Sequence, residues 1–133
     1  MTPPERFSPD DPREWLNRAR SSLALARNRV PDAYLEDLCF LAQQAAEKAV
    51  KALLIDRGVD FPYVHDLGRL LFLLEEEGEE VPEEIRAAAE LTLYASVTRY
   101  PGVMRPVTVE EHSEATEIAE AVVRWVEQRL SIL

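Results

Sequence analysis

The sequence predicts an all-α domain, an up-and-down antiparallel bundle of about five helices. The 133 residues include only four glycines and no alternating run of β-branched residues, so strand signals are missing. Apolar residues instead recur at three- and four-residue spacing. One stretch is apolar around most of its circumference. Within it Leu38, Cys39, Leu41, Ala42, Ala45, Ala46, Ala49, Val50, Leu53 and Leu54 fall on one broad arc, while Gln44, Glu47, Lys48 and Lys51 share the narrow remainder. A surface helix shows a narrower stripe, so this one is expected at the centre of the bundle, packed on two or three sides.

The elements follow in order. Residues 1–11 hold Pro3, Pro4 and Pro9 among polar residues and are expected as a loose arm ahead of a bundle over 12–133. Asp11-Pro12-Arg13-Glu14 places Asp at an N-cap, Pro at N1 and Glu at N3. The first helix should run to about Arg29, burying Trp15, Leu16, Ala19, Leu23, Ala26 and Val30. The central helix ends at Gly58, which tolerates the left-handed C′ conformation. A third helix begins near His65 with Leu67, Leu70, Leu71 and Leu74 inward, and Gly78 stops it. A fourth starts at Pro82 and runs to about Thr98, offering Ile85, Ala88, Ala89, Thr92, Leu93 and Ala95 for packing. Pro101 and Gly102 force a turn. The capping box Thr108-Val109-Glu110-Glu111 then opens a fifth helix, with Ala115, Ile118, Ala119, Val122, Trp125, Val126 and Leu130 inside.

Composition bounds the function. The formal net charge of −10 argues against non-specific binding to nucleic acid or to a membrane surface. The charge is uneven: residues 1–30 carry six arginines against four acids, so the first helix presents either a basic face or an ordinary solvated one. Cys39 lies on the apolar arc, with no partner for a disulfide and no His/Cys cluster for a metal; it reads as a buried, inert thiol. No basic start followed by an apolar segment, and no apolar run near 18 residues, marks a signal peptide or a membrane span. A cytoplasmic protein is expected.

No phosphate loop, nucleophile motif or metal-spaced histidine pair is present, so neither a cofactor nor a metal is expected. His65 and Asp66 sit at a helix start, either as caps or beside backbone N–H groups that favour an anion. Lys48 and Lys51 form either a phosphate-binding pair or a salt-bridged solvent edge with Glu47. Phe40 projects into the polar arc of the central helix, where the arm or a subunit interface would cover it.

Gln43-Gln44-Ala45-Ala46-Glu47-Lys48-Ala49-Val50-Lys51, then His65-Asp66-Leu67, Leu70-Leu71, Thr98-Arg99-Tyr100-Pro101-Gly102 and Val123-Arg124-Trp125-Val126, resemble in order and spacing the HEPN (higher eukaryotes and prokaryotes nucleotide-binding) domain family. The resemblance spans residues 13–130. It implies a helical bundle, a homodimer for which Phe40 is the interface candidate, and partnership with a small nucleotidyltransferase in a toxin–antitoxin-like pair. It also implies that ATP or GTP is a ligand to test, with Lys48, Lys51, His65, Asp66, Arg99 and Tyr100 as nucleotide or anion candidates. Many members are metal-independent ribonucleases with Arg, four to six residues, then His. Here Arg99 has Met104 at that distance, and only Arg105 with His112 falls within range. A ribonuclease using Arg105 and His112 is therefore the alternative to a non-catalytic binding module.

Overall fold

The computed structural model of the protein describes residues 2–95, 100–102 and 105–131. Among them the chain forms α1 (Pro12–Arg27), α2 (Leu35–Asp56), α3 (Leu67–Glu76), α4 (Glu83–Arg86), a 3₁₀ helix (Ala87–Ala95) and α5 (Val109–Arg129), with no strand. This is the all-α bundle that the apolar periodicity predicts.

The broad-faced segment is its axis. Helix α2 packs against α1, α3, the 3₁₀ helix and α5, and thirteen of its 22 residues are buried, far more than a single stripe supplies. Leu38, Ala45 and Leu53 are all inside. The helix ends in a Schellman motif: Gly58 has φ 70°, the Val59 N–H donates to the Leu54 carbonyl and the Gly58 N–H to that of Ile55. Helix α3 closes the same way around Gly78 at φ 95°. At the start of α3, Asp66 accepts from the Arg69 N–H, while the Thr92 hydroxyl accepts from the Leu67 N–H. Two oxygens from different elements thus satisfy donors that a helix start leaves open. In α5 both arms of the Thr108–Glu111 capping box are formed.

Two expectations are corrected, and one left open is decided. Helix α1 ends at Arg27 with Asn28 as its cap, so Val30 is exposed rather than buried. The fourth helix has one α-turn and continues as 3₁₀ to Ala95; Thr98, its expected end, lies outside the described residues. Ile85, Ala88 and Leu91 are buried while Leu93 is exposed, the period of three that 3₁₀ winding places on one face. The arginines of α1 form no free basic face: Arg20 and Arg27 pair with Glu127 and Glu120 of α5, and Arg13 and Arg18 pair with Asp11 and Glu14.

Residues 2–11 form no helix or strand. They are nevertheless fastened to α1. The Phe7 N–H donates to the Glu14 carboxylate, the Trp15 indole N–H to the Pro9 carbonyl, and the Asn17 amide to the Glu5 carbonyl. Among the described residues no helix is long and apolar enough to cross a membrane.

Candidate functional site

The polar edge of α2 is where the chain gathers its ionisable groups. Four-residue spacing stacks Gln43, Glu47 and Lys51 in one row. Gln43 Nε2 donates to Glu47 Oε1 at 2.9 Å and Lys51 Nζ donates to Glu47 Oε2 at 2.9 Å. His65, carried by the loop that leads into α3, places Nδ1 at 2.9 Å from Glu47 Oε1. The carboxylate only accepts, so that ring nitrogen bears the proton. Burial alone would raise the Glu47 carboxyl; the hydrogen bonds from Gln43, Lys51 and His65 outweigh it and hold the pKa below the ordinary 4.5.

Lys51 is enclosed rather than wet. Its ammonium lies 5.8 Å from the ring centre of Trp15, 5.6 Å from Phe61 and 5.5 Å from Tyr63, within reach of cation–π attraction to each. Trp15 and Phe61 meet edge to face with centroids 6.4 Å apart. The helical spacing alone puts Glu47 and Lys51 on a solvent edge, yet both are buried, at 3% and 4% exposure. Trp15 of α1 and the 59–66 loop supply the cover.

Lys48 behaves differently. It is half-buried, it makes no salt bridge among the described residues, and it lies beside Arg18 and Lys51. Desolvation, opposed by Glu47 and reinforced by those two cations, pushes its ammonium below the ordinary lysine value. A cavity of about 340 Å³ opens here, walled by the arm (Arg6, Phe7), α1 (Glu14, Trp15, Arg18), α2 (Gln44, Glu47, Lys48, Lys51) and the loop (Tyr63, His65). Four side-chain cations face two carboxylates around it, a local positive excess in a chain of net charge −10. Tyr63 is 94% exposed at its rim.

The cavity brings Lys48, Lys51 and His65 together, and leaves out the other candidates. Asp66 is the exposed N-cap of α3. Tyr100 lines a separate cavity with Tyr34 and Pro106, and Arg99 lies outside the described residues. Phe40 is half-buried on α2. Sequence reasoning misses Trp15, Phe61, Tyr63 and the buried Glu14 as site residues. The signal for Glu47 is the Gln43–Glu47–Lys51 spacing, whereas the periodicity marks Trp15 only as core of the first helix, and Phe61 and Tyr63 of the loop carry no periodic mark.

A family model of the HEPN domain matches residues 12–129. The chain belongs to the HEPN family. This HEPN domain is similar to TT1696 from Thermus thermophilus, whose crystal structure superposes with a TM-score of 0.80 at 36% identity, covering 90% of this chain and 98% of that one. It is also similar to ST0689, described as an archaeal HEPN homologue, with a TM-score of 0.74, 30% identity, and coverage of 91% and 98%. Among curated proteins no match was found.

The arginine and histidine of the ribonuclease alternative are both engaged in this HEPN chain. The exposed Arg105 guanidinium is bidentate on Glu111 at 2.8 and 2.9 Å. With the Thr108 N–H, it draws the Glu111 carboxyl down to about 2. His112 is buried, and its Nε2 donates to the Ala26 carbonyl at 2.7 Å. The two side chains donate to different acceptors, Arg105 to Glu111 of α5 and His112 to Ala26 of α1. Among the described residues no group of three His, Cys, Asp or Glu is placed to hold a metal ion.

Proposed function

We propose that this HEPN domain is a non-catalytic module that binds a nucleotide such as ATP or GTP in the cavity beside α2. What carries the reading is Lys48, a desolvated ammonium without a salt bridge among the described residues, set between two further cations and next to the exposed Tyr63 ring. A phosphate supplies the counter-charge Lys48 lacks, through a charge-assisted hydrogen bond. A base stacked on Tyr63 or Trp15 contributes about 1–3 kcal/mol. Lys51, held by Glu47, shapes the floor.

Calorimetric titration of ATP and GTP into the protein tests this. A saturable isotherm weakened about tenfold by Lys48→Ala, near 1.4 kcal/mol, is the expected result. No heat and no shift in melting temperature at millimolar nucleotide would overturn it.

Family membership also supports a homodimer, with Phe40 as the contact candidate, and pairing with a nucleotidyltransferase in a toxin–antitoxin-like system. Light scattering of wild type and Phe40→Glu reads the first, and co-purification with a co-expressed nucleotidyltransferase reads the second. A monomeric wild type, or failure to co-purify, removes the corresponding part.

A further inference from the structure

A second cavity of about 260 Å³ adjoins the first. The two share Arg6, Glu14, Arg18 and Lys48 in their walls, so Lys48 stands at the junction rather than at an end. Beyond it the second cavity is lined by Asn17, Ser21 and Ser22 of α1. Ser22 is the informative residue: it is 6% exposed, and its hydroxyl has no hydrogen-bond partner among the described residues. A buried hydroxyl without a partner carries a desolvation cost that native structures seldom leave standing.

One of the two carboxylates in the wall is already engaged. Glu14 is already the acceptor for the Phe7 N–H and for Arg18, with Arg6 at 3.7 Å, which leaves Lys48 and part of the Arg6 guanidinium as uncompensated charge. Glu5 enters the wall too, with a carboxylate that makes no salt bridge among the described residues, so the three cations of the wall exceed its two carboxylates by one charge.

We infer that the second cavity is a phosphate-chain subsite, so that the domain reads the number of phosphoryl groups and takes nucleoside di- or triphosphates over monophosphates. This rests on the nucleotide reading above and extends it. The base lies against Tyr63 and Trp15, the first phosphoryl group meets Lys48, and the distal groups pass into the second cavity, where Ser22 donates to a terminal oxygen. A monophosphate ends at Lys48 and leaves Ser22 unpaired.

The test is calorimetry with AMP, ADP, ATP and inorganic tripolyphosphate, as sodium salts, on wild type, Ser22→Ala and Ser22→Val. ATP is expected to bind at least tenfold more tightly than AMP, and tripolyphosphate to compete with ATP. Ser22→Val, which fills the end of the cavity with methyl groups, should weaken ATP fivefold or more and leave AMP unchanged; Ser22→Ala should do the same more mildly. Equal affinity for AMP and ATP, or an ATP/AMP ratio untouched by both variants, overturns the subsite while the nucleotide site survives. Tripolyphosphate binding without any nucleotide binding supports the subsite and removes the nucleotide reading. Binding of none of the four removes both. If the valine variant does not fold, the wild-type ratio and Ser22→Ala still decide.

Discussion

Lys51 donates to Glu47 across 2.9 Å with side-chain exposures of 5% and 4%, and three aromatic rings stand within 6 Å of its ammonium. Few charged pairs are so enclosed, and removing one partner of a buried pair strands the other. Lys51→Met leaves Glu47 with Gln43 and His65 alone, and is expected to cost roughly 3 kcal/mol. Lys48→Met should be neutral or slightly stabilising, within about 0.5 kcal/mol, because folding already disfavours the charged form of Lys48. Denaturant unfolding of the two variants is the check; equal losses would contradict the assignment of one buried and one ligand-seeking lysine.

Acid should weaken the fold through the carboxylates that their neighbours hold low: Asp11 and Glu111, and three more. In Glu47 and Glu79 burial raises the pKa but hydrogen bonds from their neighbours overcome it. In Glu14 the Phe7 N–H and Arg18 lower it directly. All three folded pKa values lie below the ordinary 4.5. Their contribution is therefore complete above about pH 4.5 and is lost as the pH falls through the folded values. Melting temperature should be flat from pH 7 to 5 and drop below 4.5, less steeply in Glu47→Gln. An unchanged slope in that variant would show that Glu47 takes no part.

Cys39 should be unreactive in the native protein. Burial first, and then the fields of Glu111 and Glu36, push its thiol up to about 12, and the side chain is fully enclosed. The thiolate is the reactive species, so a disulfide reagent at pH 8 should modify it only after denaturant is added. Rapid modification under native conditions would mean that α2 opens.

His112 is expected to matter for stability. His112→Ala leaves the Ala26 carbonyl without its donor inside the core, at a cost of about 1–3 kcal/mol. RNA decay should match the wild type. Cleavage by the wild type that vanishes in the variant would restore the ribonuclease reading.

The sequence is legible where the signal is local. Gly58, the Thr108–Glu111 box and the apolar arc of α2 each specify their structure within a few residues, and each forms as read. The 3₁₀ segment is not, because Ala87-Ala88-Ala89 favour an α-helix by propensity and a period of three over nine residues resembles the start of a period of 3.6. The site is half legible. A helical wheel shows which face of α2 is polar, and not what lies across from it. Its cover comes from Trp15 of α1, the arm and the 59–66 loop, and the last two have no periodicity to read.

Lys48 and Lys51 are also the only lysines in the chain, and they differ in accessibility. Lys51 is sealed behind its rings, whereas Lys48 opens onto the cavity with its proton held more loosely than usual. Apart from the α-amino group, an acylating reagent thus meets one available amine, and the mass added there becomes a direct gauge of whether anything occupies the cavity, in unaltered protein and without a dye or a variant.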